Sequence, residues 1–308
     1  MLSNYSFKLR YLIAIVIGGF LSACSNKPST RDINLLLAQS IDNLVFVQGG
    51  SYMMGDGGGM YVYPDGHKQK YSMWTGSEDT KPPHKVTLDS FYMQRFEVTY
   101  GEYDTFTKGT NRPLFLKQYI NDPTRAPNIP AGTPSWYDAK AYCQWLGQKS
   151  RMPFDLPTEA QWEYAARSRG LAVPFATDTG FLDKGRNYGK RVDGIPIGFP
   201  IPIRKHPPNP LGLYDMTRNV YEWVNDWYDP DYYQHSPENN PPGPQSGSEK
   251  VLRGGSNVGT ANYETLYFRF PKPPTSESDG EFGMRCVLNL TDKLTSAQLK
   301  QRVRSAQR

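Results

Sequence analysis

Apolar residues come in short, separated runs along this chain, each the length of a strand or a modest helix. Leu44-Val45-Phe46-Val47 reads as a strand that turns at Gly49-Gly50 and continues through Tyr52-Met53-Met54-Gly55. Alternation returns from His84 to Leu88 and from Phe91 to Met93, and Glu97-Val98-Thr99 then leads into a helix from about Tyr100 to Thr107. The strongest helix follows Pro134. Ser135 can cap its free amides, Asp138 stands three residues on, and Trp136, Ala139, Tyr142, Cys143 and Leu146 share one face before Gly147 closes the end. Thr158 and Gln161 repeat the capping device ahead of Trp162, Ala165 and Ala166. Val251 to Ser256 reads as a buried strand with a tight turn, and Gly283 to Leu290 as the last strand.

Between these runs, residues 56–83, 170–210 and 229–250 hold many Gly, Pro and polar residues and no sustained period, so they read as surface insertions and loops. Hydrophobic content is 38% while aromatics reach 13%, with 28 Gly and 26 Pro. That balance suits a loop-rich α+β domain whose core is filled by rings, and it excludes a helical bundle. No internal repeat is visible, and 308 residues allow one large domain or two ordinary ones.

The two ends differ from the middle. Lys8 and Arg10 precede an apolar run from Tyr11 to Phe20 that is too short to span a bilayer. It ends in Leu21-Ser22-Ala23-Cys24, which resembles a bacterial lipobox, so residues 1–23 read as a signal peptide and Cys24 as the thiol that takes the lipid (diacylglycerol and palmitate). The alternative is a secreted protein with no use for that thiol. Ser25 in place of Asp implies sorting to the outer membrane, facing the periplasm or the surface, with acyl chains as the anchor. Residues 24–41 read as a tether ending in a short helix, 42–290 as the domain, and 291–308 as a basic tail, either a helix touching anionic lipid or a partner, or a solvated end. Losing Lys8 and Arg10 with the signal lowers the formal charge from +5 to +3, too little to argue for nucleic acid.

Candidate chemistry concentrates in Leu211 to Tyr228. Asp215 and Glu222 stand there among Tyr214, Tyr221, Trp223, Trp227 and Tyr228. Carboxylates crowded by rings suggest a turn tied down either by a hard cation with oxygen ligands or by hydrogen bonds alone. Glu159 and Glu163 can be read as an acid–base pair, but acidic residues in a first turn also favour the helix dipole. His84 stands alone beside a strand, where a structural role is commoner than metal ligation. With Cys24 lipidated, Cys143 and Cys286 remain as an even pair, disulfide-bonded or two buried thiols.

Four blocks, Asp155 to Arg167, Leu211 to Tyr228, Arg253-Gly254-Gly255-Ser256 and Phe282-Gly283-Met284-Arg285-Cys286, resemble the formylglycine-generating enzyme, or sulfatase-modifying factor, family in order and spacing. The resemblance runs from about Leu44 to about Leu290. It implies the C-type-lectin-like variant of that fold, rich in irregular structure, and a Cys143–Cys286 disulfide. It also implies a calcium site with side-chain oxygens at Asp215 and Glu222 and backbone carbonyls at Arg218 and Val220. Position 218 is usually Gly in the family, so Arg departs from the pattern.

The family oxidises a substrate cysteine to formylglycine with Cu(I) held by two thiolates, and no hard ligand substitutes well for a soft one. The matching positions here are Gly259 and Glu264, and the stretch from Asn257 to Arg285 holds no cysteine. That argues against copper. The non-haem iron branch of the superfamily uses a His-x3-His-x-Glu pattern, which His67, His84, His206 and His235 do not make, and this argues against iron. The favoured expectation is a membrane-anchored, non-catalytic binding or scaffold module of the cell envelope. Its partner would be an envelope protein of a secretion assembly or a toxin it neutralises. The alternatives are a metal-dependent oxidoreductase with a rearranged site and a glycan or cell-wall binder.

Overall fold

The computed structural model describes residues 27–63, 65–189, 191–257, 264–277 and 279–306. Cys24 and Gly259 lie outside them. Ser29 opens helix α1 (Thr30–Asp42) with a reciprocal capping box: its Oγ accepts from the Asp32 amide, and the Asp32 carboxylate accepts from the Ser29 amide. Leu36, Leu37 and Ile41 are then buried against α2 (Tyr100–Gly109) and α3 (Trp136–Ser150). The tether expected over 24–41 is therefore confined to its first residues, because this leucine stripe packs into the domain.

The capping signals at Ser135 and Thr158 act as read, and Thr99, read only as the lead-in to a helix, caps as well. Thr99 and Glu102 form the box that starts α2, and Thr158 and Gln161 the one that starts α4 (Glu159–Ala166). Ser135 Oγ accepts from the Asp138 amide at 3.2 Å to start α3. The far end of α3 differs from expectation: it passes Gly147 and stops at Arg151, whose φ of 53° turns the chain. A Cβ at Gly147 would stand 3.1 Å from the Met152 carbonyl oxygen, so this glycine makes room for the returning chain instead of ending the helix.

Strands β1 (Leu44–Val47), β6 (Phe91–Gln94), β12 (Val287–Leu288) and β7 (Phe154–Asp155) form one antiparallel sheet in that order. A second sheet runs β10 (Phe270–Lys272), β9 (Lys250–Arg253), β8 (Tyr221–Trp227), β11 (Phe282–Gly283), the last pair parallel. The stretch expected as one final strand is thus split between the two sheets. β2 (Gly50–Met54) pairs with β5 (His84–Leu88), and the insertion at 56–83 carries its own hairpin, β3 (Gly59–Val62) with β4 (Lys68–Tyr71).

All four residues of β6 and of β9 are buried, because these strands separate two cores. Tyr92, Leu252 and Leu288 face the helices α1, α2 and α3, while Phe91, Met93, Val251 and Val287 face α4, β2 and β5. The alternation expected from Phe91 to Met93 therefore does not hold in burial: β6 is covered on both faces, as the apolar Val251-Leu252 of β9 is. The Cys143–Cys286 disulfide stands in the first core, joining α3 to the segment between β11 and β12 with Cα atoms 5.6 Å apart. The C-terminal segment forms α5 (Ser296–Ala306), which lays Leu299 and Val303 on α1.

Candidate functional site

The aromatic turn leads into β8 with three left-handed residues, Asp215 (φ 54°), Arg218 (φ 73°) and Asn219 (φ 68°). Such a backbone costs an L side chain of order 1 kcal/mol or more, so something must hold it. Arg285 is the clamp. Its Nε donates to Glu222 Oε2 at 2.7 Å and its second terminal nitrogen to Oε1 at 2.6 Å, a bidentate pair with both residues buried. Its remaining hydrogens go to the carbonyls of Gln94, Arg95 and Tyr214. Trp162 Nε1 donates to Glu222 Oε2 at 2.8 Å. One guanidinium thereby ties β6, α4, β8 and the turn together.

Around this pair stand further buried carboxylates. Asp215 Oδ1 lies 3.2 Å from His206 Nδ1, and Asn219 donates to Glu97 Oε1 at 3.2 Å. Asp215 Oδ2 and Glu97 Oε2 are buried without a hydrogen-bond partner. Burial first, and the Asp215 charge second, push Glu97 well above the usual carboxylate range. Glu97 and Arg285 were missed in the sequence reading. Each looked like an ordinary member of its block, and only contact across the chain gives it a role.

These oxygens bear on the calcium expectation. Each carboxylate oxygen can accept twice. Glu222 Oε2 is saturated by Arg285 and Trp162, while Oε1 accepts once and retains a free lone pair. With the unpartnered Asp215 Oδ2 it offers calcium two side-chain oxygens beside a turn whose carbonyls are held rigid, so the residues fit the ion. Among the described residues no three of His, Cys, Asp and Glu converge on a metal position, and such a site would draw on carbonyls as expected for Arg218 and Val220.

Glu159 stands in the first turn of α4, as the helix-dipole reading has it, and Glu163 does not. Both are buried in the second core, where Arg253 donates to Glu163 Oε2 at 2.6 Å and Arg269 to Glu159 Oε1 at 2.8 Å. Arg167 adds a third cation at 2.8 Å from Glu163. Burial opposes the charge on Glu159, but Arg269 and Arg253 outweigh it and keep the carboxyl below its usual range. The group is an internal brace. His84 is likewise structural, its ring 4.7 Å from that of Tyr233 and its Nδ1 3.2 Å from the Pro82 carbonyl.

Two positions where the chain departs from the family resemblance meet in space. Arg218, at the usual glycine, places its guanidinium 3.2 Å from Glu264, at the second cysteine position, and also donates to the Asn257 carbonyl at 3.2 Å. Its guanidinium lies 5.6 Å from the Tyr188 ring. Neither departure has a meaning alone in the sequence, and their complementary charge was the available signal. Beside them opens a cavity of about 340 Å³ lined by Lys184, Tyr188, Arg191, His206, Arg218 and Asn257, with no carboxylate in its described wall. Burial pushes Glu264 up to about 7, with Arg218 opposing. From its free value of 4.5 to about 7 the folded chain therefore binds the extra proton, and stability falls as pH rises through that window. Glu264→Gln should flatten this slope, as read by urea midpoints across the window. An unchanged slope would dismiss the effect.

The model of the sulfatase-modifying factor enzyme 1-like domain matches residues 32–290. The formylglycine-generating enzyme of Streptomyces coelicolor is 30% identical over 309 residues, covering 79% of this chain and 88% of that protein. The serine/threonine-protein kinase pkn1 of Chlamydia pneumoniae is 27% identical over 308 residues, covering 93% of this chain but 44% of that protein, so the chain spans less than half of it. Among solved structures, PvdO from Pseudomonas aeruginosa has a TM-score of 0.62 at 26% identity, covering 80% of this chain and 94% of PvdO.

Proposed function

The chain belongs to the sulfatase-modifying factor family, in the α+β fold expected from its blocks, and from that premise we propose that it is a non-catalytic, membrane-anchored binding module of the cell envelope. One observation supports the reading: Arg218 and Glu264 form an ion pair, and the family resemblance implies a thiolate at position 264. A guanidinium and a carboxylate are hard groups that cannot replace sulfur around Cu(I). The cationic cavity beside the pair suits an acidic segment of a protein partner. The disulfide supports an oxidising, extracytoplasmic setting, in line with lipidation at Cys24. No described helix is long and apolar enough to cross a membrane.

The test has two arms. Supplied with Cu(I) and a cysteine-bearing sulfatase peptide, the protein should form no aldehyde, and any catalytic yield overturns the proposal. Chromatography of solubilised envelopes over the immobilised protein should recover one stoichiometric protein that Arg218→Glu no longer holds. A second reading, an enzyme with a rearranged site, draws on Glu264, whose carboxyl at about 7 is poised for proton transfer. Turnover lost in Glu264→Gln would favour it. A glycan binder, the third reading, predicts saturable retention on peptidoglycan.

Calcium belongs to the same proposal, as the cation that Asp215, Glu222 and the carbonyls of Arg218 and Val220 would hold to stiffen the turn. Removal with a chelator should then lower the thermal midpoint. At a hundredfold excess over its dissociation constant calcium adds about 2.7 kcal/mol. Asp215→Asn should erase the difference between calcium-loaded and stripped protein. Equal midpoints in the parent chain would remove calcium from the account.

A further inference from the structure

We propose that the end of the molecule formed by the start of α1 and the finish of α5 is a docking surface for anionic phospholipid. It would lay the domain against the bilayer instead of leaving it free at the end of a tether. The inference deepens the membrane-anchored reading and rests on it.

Topology brings the charges to that end. Asp42, closing α1, bonds Ser296 and Lys300 near the start of α5, while Arg304, near the finish of α5, shares a groove with Asn34 near the start of α1. The two helices are therefore antiparallel. Lys27 and Arg31 at the start of α1 and Arg304 near the finish of α5 are exposed at that end, while Arg302, on another face of α5, is exposed beside Asp292. Asp32 is engaged by Ser29 in the capping box, and Asp292 stands 3.4 Å from Arg302 in an exposed pair that screens little of the patch. Thr30 is six residues beyond Cys24, a reach of at most about 20 Å of extended chain. A lipid on Cys24 would thus hold this end of the domain within a short distance of the headgroups.

The groove between the helices identifies the partner chemistry. Its volume is about 240 Å³, its floor is Leu37, Ala38, Ile41 and Val303, and its rim is Asn34, Arg304 and Lys300, the last paired with Asp42. A cationic rim over an apolar floor complements a molecule with an anionic head and a hydrocarbon chain. An acidic peptide would use the rim and leave the floor wet. Leu35, 57% exposed on α1, adds apolar surface beside it. Each Lys or Arg near an anionic surface adds roughly fivefold to partitioning, by the usual 1 kcal/mol per charge.

The test uses the chain from Ser25 on, which keeps every described element and has no lipid of its own. It is sedimented with vesicles of phosphatidylcholine alone and of phosphatidylcholine mixed equally with phosphatidylglycerol. Retention is expected on the mixed vesicles only, released by salt, and reduced by about 25-fold or more in Arg31→Glu/Arg304→Glu. The milder Arg31→Gln/Arg304→Gln should fall between, with its thermal midpoint confirming the fold. Equal retention on both vesicles, retention untouched by the substitutions, or capture by polyglutamate without capture by vesicles would each overturn the proposal. The anchor is read separately, by labelled palmitate on the full chain. Its absence would sink the anchored reading and leave the vesicle result standing.

Discussion

Arg285→Met should destabilise the protein by about 3–5 kcal/mol, the usual cost of removing one partner from a buried ion pair. The guanidinium is wholly buried and is the only cation bonded to Glu222 among the described residues. Its loss leaves Glu222 uncompensated beside Asp215 and Glu97, and it also strips donors from three carbonyls on β6 and in the turn. Methionine fills much of the volume, so the effect reads as charge and hydrogen bonding more than as a cavity. Combining it with Glu222→Gln should recover a large part of the loss, because the second change removes the stranded charge. Urea unfolding of the two single variants and the double variant gives the coupling directly. A loss under about 1 kcal/mol for Arg285→Met would mean that the clamp is not what holds the left-handed turn. Such a result would also weaken the calcium proposal, which needs that turn rigid.

Replacing both disulfide cysteines, Cys143→Ala with Cys286→Ala, should cost about 5 kcal/mol in the chain-entropy model. The size follows from the sequence separation of 143 residues, which the bond removes from the freedom of the unfolded chain. Both sites are fully buried in the first core, so each alanine also loses some packing there. Residual structure in the unfolded chain works the other way and makes the figure an upper bound. The measurement is the denaturant midpoint of the double variant against the oxidised parent, with the slope checked for a changed unfolded state. A parent whose midpoint is indifferent to reductant, with a variant of equal stability, would show that the two strands and α3 are held by packing alone.

Several features were legible because their signals act over a few residues. The caps at Ser135 and Thr158 are decided by a side chain and an amide three positions away, and both stand where the sequence put them. The strand at Val251 was legible as buried, whereas the alternation expected at Phe91 to Met93 gave way to burial on both faces. The family blocks located the aromatic turn and paired the cysteines. By contrast, α1 was read as the end of a tether because a leucine cluster near the start of a chain gives no sign of whether a domain surface waits for it. Gly147 was read as a helix end, since glycine marks both a terminus and a close approach, and only the chain returning through Met152 and Phe154 tells which.

The charged interior was decided by tertiary structure alone. Glu222 meets Arg285 across 63 positions, Glu159 meets Arg269 across 110, and Arg218 meets Glu264 across both β8 and β9. An ion pair has no period, and a buried arginine looks in sequence like an exposed one. By itself, then, the sequence determined the family fold, its capped helices, its buried strand at Val251 and the absence of a thiolate pair, because these follow from local backbone preference and from which elements are present. Which carboxylates are clamped, which are left without a partner, and how two separate departures from the family pattern come to neutralise each other depended on the fold. Coulomb energy is set by distance and burial, and neither exists until the chain has closed on itself.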